Sequence, residues 1–560
     1  MYYEAKTNVI PDVNREYNPQ PHLSGTAAHQ QSSSLILRAS SREFCGIIVE
    51  FDGMAMRLGG TGRAGSASDL HWRSASGVGN PMITRIELDG FKTFKVFSLD
   101  LSPLQVIVGA NGVGKSNLFY ALQLLGRLAD SKVATSFHEM RSDVGELFIV
   151  PQCGGSADRI RLAIEMLVNQ KVCDDWGAGQ KLKFPRMRYE LEVVRLRDAQ
   201  DQERLIVDHE FLAPIPRQSD RWTKANKLRT GGHWIPAMTG GRSSPFISTL
   251  KSKKGTTLVL HQDGKSARRD IEAAKAERTL LCGARNIEFP HAFAAAEEMR
   301  AWRFLQLDPE ILRQPSPATA PAKLVDGGRN LPNVLARMKA ADPMLLAHVS
   351  RDLASHLPGS MQVEVDEDRE AGRTVIWAKA EDGRRFSPRA LSDGALRALA
   401  LVTLKNDPEH GGLLCFEDPE NSVHPSRLKD LTRILLGLST DFSSSDREDA
   451  PLRQVICNTH SPVFISHPDV LSHVLFAHLA PRKDAGGNTR NPPVTRMVPV
   501  IPDPLQPALP IPEEVQSFTL SEVQSYLESA DLGAARLQLG THLARDHGEI
   551  VGKEDLEDAV

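Results

Sequence analysis

The feature that most restricts how this chain can fold is the octapeptide GANGVGKS at 109–116, which follows the apolar run LQVIVG and leads into NLFYALQLLGRL. Glycine is disfavoured inside regular helices and strands, so Gly109, Gly112 and Gly114 mark a loop that joins a strand to a helix. Such a loop leaves backbone N–H groups free at a helix N-terminus, where the peptide dipoles favour negative charge. Gly109, Asn111, Gly112, Val113, Gly114, Lys115, Ser116 and Asn117 are therefore the candidate residues for cradling a nucleotide's phosphates. Lys115 adds a positive charge, and Ser116 offers a hydroxyl to a divalent cation.

Three more strings follow in order. LLCFEDPE at 413–420 is an apolar strand that ends in adjacent carboxylates. Glu417 is the candidate metal ligand beside Ser116, and Asp418 the candidate general base that polarises a water molecule. The same Glu-Asp-Pro-Glu-Asn run is also good composition for a surface turn. A second apolar strand, QVICNTH, ends at His460 about forty residues later, and PSRLKDLTRILLGL between them supplies the crossover helix that parallel strands need. That placement makes His460 a candidate sensor of a terminal phosphate. LSDGALRALALVTL starts at a serine able to cap a helix, and by itself reads as an ordinary capped helix start.

Taken together, these strings resemble the AAA-labelled ATPases whose heads are of the RecF and SMC type within the ABC class. The resemblance runs from about Met82 to about Pro502 and takes in MITRIELDGFKTFKVFSLDL, WRFLQLDPEILRQPS, DGGRNLPNVLARM, RRFSPRALSDGALRALAL, CFEDPENSVHP and VICNTHSPVFI, in the family's order. It implies an α/β fold, a P-loop NTPase with two lobes, a mixed and largely parallel core sheet and an antiparallel β subdomain. It implies ATP and Mg²⁺ as ligands, hydrolysis to ADP and phosphate, and a homodimer formed in ATP. In that dimer the signature residues Ser392, Asp393, Gly394 and Ala395 of one copy would face the phosphates bound by the other. Two departures stand out. The carboxylates read Glu417-Asp418 where the ABC pattern has Asp-Glu, which puts the base on the shorter side chain. No glutamine of the expected kind follows the first helix, and Arg141 is the candidate contact there.

The remaining chain divides by composition. Residues 1–81 are rich in Ser, Gly, Asn, Gln and His and read as a disordered extension or a mis-assigned start. The expected units are an N-terminal lobe at 82–215, an insertion with a basic loop and helices at 216–320, and a C-terminal lobe at 321–502. A proline-rich linker at 503–514 and a helical tail at 515–560 follow. RIRLAIEMLV, MRYELEVVRL and RLIVDHEFLA alternate in the manner of strands. SARRDIEAAKAERTLLCGA and HAFAAAEEMRAWRFLQL have helix-favouring composition. Arg217, Arg221, Trp222, Lys224, Lys227 and Arg229 form either a solvated loop or a contact for nucleic acid, with Trp222 stacking a base.

The net charge of −3 gives no global attraction to nucleic acid, and six scattered cysteines without a Cys-x-x-Cys pair read as reduced packing thiols. No apolar run approaches a membrane span, and the expected location is cytoplasmic. The expected function is a nucleotide-driven dimerisation switch in DNA repair or anti-phage defence, acting on DNA or on a partner effector protein. One alternative is a non-hydrolysing adaptor. Another is an ATP-gated nuclease resembling the OLD group, which needs a metal-binding Asp-x-Asp that the residues after His460 do not contain.

Overall fold

The computed structural model describes residues 82–149, 159–197, 203–228, 244–253, 255–262, 268–356, 361–421, 423–424, 427–442, 452–482, 491–501 and 517–528, with four strand segments before residue 60. By internal contacts the chain divides into Met1–Ala75 and Ser76–Val560. In the first unit Asn8–Ile10, Ile36–Ala39, Gly46–Phe51 and Met54–Gly59 form a four-stranded sheet. The rest of the expected disordered extension lies outside the described residues, as do the proline-rich linker and most of the tail.

The second unit is built on a seven-stranded sheet. Arg303–Leu305, Gly412–Glu417, Arg453–Thr459, Leu104–Val108 and Val474–Arg482 run parallel in that spatial order, and Asn491–Ile501 joins the last of them antiparallel. The parallel strands are largely apolar because both faces are covered. Leu413, Cys415 and Ile456 face one core, whereas Leu414, Phe416, Val455 and Cys457 face the other. The first core holds helices Lys115–Leu128 and Pro290–Ala301, and the second holds Leu331–Ala341, Asp393–Asn406 and Leu428–Leu438. Cys415 and Cys457 are free buried thiols, and burial pushes both up in pKa.

An eight-stranded antiparallel sheet contains Arg159–Leu167, Arg186–Arg197 and Glu203–Pro214, the three alternating strings, beside Met82–Asp89. Gln454 ties the two sheets together. Its Oε1 accepts from the Ile83 amide at 3.0 Å, and its Nε2 donates to the carbonyls of Ile83 at 2.7 Å and Ser102 at 3.1 Å. Met361–Asp368 and Arg373–Ala380 form an antiparallel hairpin ahead of helix Asp393–Asn406.

Two expectations are corrected. The stretch 266–284 is not one helix: Arg268–Glu272 is a strand paired with Gly255–His261, and only Leu280–Gly283 is helical beyond a short 3₁₀ turn. Sheet-edge pairing overrides its helical composition. Trp222 is also no stacking platform. It is buried, its Nε1 donates to the Leu101 carbonyl at 3.1 Å, and the Arg186 guanidinium lies over its ring. Arg186 is in turn paired with Asp220 by two bonds of 3.0 Å. Arg217, Arg221, Lys224 and Lys227 remain exposed, and Arg229 lies outside the described residues.

Candidate nucleotide site

The parallel strands deliver their C-terminal ends to one edge, where the register pairs Val108 with Thr459 and Asn458 with Glu417. Ligands of open α/β sheets sit outside that edge. The glycine loop leaves Val108 there and enters the helix at Lys115. Gly114 caps that helix with φ 96°, and a Cβ on it would lie 2.2 Å from Thr495 Oγ1 and 2.6 Å from Thr93 Oγ1. Those two hydroxyls lock the loop from behind. Thr495 Oγ1 donates to the Val113 carbonyl at 2.8 Å, and Asn117 Nδ2 donates to Thr93 Oγ1, also at 2.8 Å. Asn117 and Val113 thus shape the loop. Asn111 and Gly112 are exposed at its tip.

Lys115 is buried, with Nζ donating to the carbonyls of Gly109 at 2.6 Å and Ala110 at 2.9 Å. Burial lowers its pKa, and the opposing fields of Asp418, Glu420 and Glu417 raise it. These three carboxylates are the acidic groups whose charge reaches the lysine. Asn458 bridges the halves. Its Nδ2 donates to Ser116 Oγ at 3.4 Å, while its Oδ1 and main-chain carbonyl accept from the Asp418 amide at 3.2 and 3.1 Å.

Asp418 takes the left-handed conformation at φ 42° and turns its carboxylate to His460, whose Nδ1 is 3.2 Å from Asp418 Oδ1. Both side chains are partly open to solvent. Glu420 packs beneath them, bonded through Oε1 to the Thr459 hydroxyl, and burial raises its pKa. Glu417, Asp418, Arg141 and Arg397 share a cleft of about 520 Å³ with Tyr120 and Gln306. Arg141 therefore stands near the carboxylates.

Ser392 caps the signature helix by accepting from the Ala395 amide at 3.3 Å. Arg313 Nη2 reaches Asp393 Oδ1 at 2.5 Å and the Leu391 carbonyl at 3.3 Å, holding that helix start in place. Ser392 to Ala395 line a second pocket, beside the carboxylate cleft, and Arg397 borders both. Arg397 Nη1 donates to the Asn421 carbonyl at 2.6 Å, so the signature helix grips the chain just past the acidic turn. Thr93, Thr495, Asn458, Thr459 and Glu420 were not apparent as site residues from the sequence. Their partners lie 24 to 402 residues away, and no local pattern announces them.

Residues 82–174 match the family model described as AAA ATPase domain, and residues 239–466 match that described as AAA domain, putative AbiEii toxin, Type IV TA system. Two stretches of the chain are thus similar to AAA-type ATPase domains. The strand, glycine loop and helix at 104–128, set in a largely parallel sheet, have the build of a P-loop nucleotide-binding element. Among solved structures, an SMC head bound to the C-terminal winged-helix domain of ScpA is 16% identical, with 74% of this chain and 97% of that chain covered and a TM-score of 0.38. The SMC head domain from Thermotoga maritima is 12% identical, with 75% and 99% covered and a TM-score of 0.31. An SMC head from Pyrococcus furiosus, bound to the C-terminal domain of ScpA, is 14% identical, with 75% and 96% covered and a TM-score of 0.36.

Proposed function

We infer that this chain binds Mg-ATP at the glycine loop and hydrolyses it to ADP and phosphate. The observation that supports this most is the shared edge. Lys115 and Ser116 stand on one side of it, the Asp418–His460 pair stands on the other, and Asn458 links the two. Ser116 Oγ and the Glu417 carboxylate offer the oxygen donors that Mg²⁺ prefers, and the ion, when bound, neutralises charge on the β- and γ-phosphate oxygens. Lys115 leaves its loop carbonyls to meet phosphate oxygens. Asp418 takes a proton from the attacking water, and His460 Nδ1 holds the Asp418 carboxylate in place while its ring faces the terminal phosphate.

We extend this reading to a switch. Ser392 to Ala395 of one copy close on the nucleotide of a second, and the Arg397–Asn421 bond carries the state of the acidic turn into the signature helix. The output acts on DNA or on a partner protein, in repair or in defence against phage. Among the described residues no helix is long and apolar enough to cross a membrane, and we place the protein in the cytoplasm.

The test is phosphate release together with particle mass, measured with and without Mg-ATP and DNA. Turnover with an ATP-dependent dimer supports the switch. Nucleotide binding with no turnover would instead favour the adaptor.

A further inference from the structure

Glu420 has no step in the hydrolysis described above, yet it is only 9% exposed. One of its oxygens accepts the Thr459 hydroxyl, while the other, Oε2, is buried with no hydrogen-bond partner. A buried carboxylate oxygen without a donor is costly and calls for a partner beyond the protein's own atoms. The carboxylate as a whole stands in a triad of metal-ligating groups. His460 Nδ1 lies 3.9 Å from Glu420 Oε1 and 3.2 Å from Asp418 Oδ1, and one ligand atom from each of the three residues lies within 4.8 Å of the others. Ligands about 2.0–2.2 Å from a tetrahedral ion stand roughly 3.3–3.6 Å apart, so modest side-chain rotation closes this triad on a cation.

We propose that Asp418, Glu420 and His460 form a site for a divalent transition-metal ion, with Zn²⁺ the best fit, and that its occupancy switches hydrolysis off. The site is separate from the Mg²⁺ position at Ser116 and Glu417. An imidazole with two carboxylates suits Zn²⁺, whereas Mg²⁺ takes oxygen ligands and keeps its waters. The Thr459 hydroxyl on Glu420 is the kind of outer contact that orients a ligating carboxylate. Three protein ligands leave a fourth position for water or a phosphate oxygen. Inhibition follows from the choice of ligands, since the ion occupies both the base and the phosphate sensor. This inhibitory half rests on the ATPase reading above; the binding half does not.

The test uses the full chain stripped of metal and titrated with Zn²⁺ against a chromophoric chelator, without nucleotide. Wild type is expected to take up one equivalent more than either Glu420→Gln or His460→Gln, because all other histidines and cysteines are common to the three. Thr459→Val keeps the three ligands and should weaken the site about tenfold; it also serves if a ligand variant fails to fold. Equal uptake by wild type and all folded variants overturns the site. In a second arm, Zn²⁺ should suppress phosphate release by wild type, and Thr459→Val should need about tenfold more Zn²⁺ for the same effect. Zn²⁺ uptake without suppression overturns the inhibitory half. A wild type that releases no phosphate would refute the ATPase reading and leave the uptake comparison standing.

Discussion

Gly114 in the glycine loop and Asp418 in the acidic turn both have positive φ, 96° and 42°, on facing sides of one site. At Gly114 the hydroxyls of Thr93 and Thr495 occupy the space where a Cβ would be, so the conformation depends on a missing side chain. At Asp418 the Cβ is present, and the turn is held by the two acceptors that Asn458 offers to the Asp418 amide. A non-glycine residue there costs about 1–3 kcal/mol and persists where its surroundings over-determine it. One half of the site is therefore shaped by packing. The other is shaped by polar contacts and charge, and should respond to pH and metal where the first does not.

The sharpest way to break this contrast is Gly114→Ala. Strain and collision with Thr495 should cost about 3 kcal/mol and abolish nucleotide binding, as read by denaturant unfolding and fluorescent-nucleotide titration. If the variant binds as wild type does, packing does not shape the loop. Next in size is Asn458→Leu, which removes one acceptor from the Asp418 amide and the contact to Ser116. It should cost about 2 kcal/mol and slow phosphate release more than it weakens nucleotide affinity. Equal losses in both would mean that Asn458 supports the whole edge and not the acidic turn.

Glu420→Gln tests the electrostatic half through pH. Burial raises the Glu420 pKa, so its stabilising contribution is full below the ordinary carboxylate pKa and is lost as pH rises through the raised value. Glutamine does not titrate. The stability of the variant relative to wild type should therefore increase with pH over that window, measured from unfolding midpoints at several pH values, while a constant difference would contradict the assignment. The smallest effect is expected from Thr495→Val, which loses the bond to the Val113 carbonyl and should cost about 1 kcal/mol with no change in pH response.

The same contrast explains what could be read from the sequence. Glycine loop, carboxylate strand, crossover helix and capped signature helix are local patterns, and the structure reproduces each of them. His460 was legible because the crossover places its strand beside the carboxylate strand. Asn458, Thr459 and Glu420 were not. They lie inside strings already read for other residues, and their importance comes from contacts across strands. Thr93 and Thr495 sit 402 residues apart and meet only behind the loop. Arg268–Glu272 and Trp222 failed for a related reason: sheet-edge pairing and burial under Arg186 override composition.

The most direct test of the central claim measures ATP binding and phosphate release on the same preparations of wild type, Lys115→Ala and Asp418→Asn. The account predicts that Lys115→Ala loses binding and turnover together, and that Asp418→Asn keeps binding while turnover falls at least about 100-fold, the scale of a lost general base. Turnover by Asp418→Asn at the wild-type rate would contradict it.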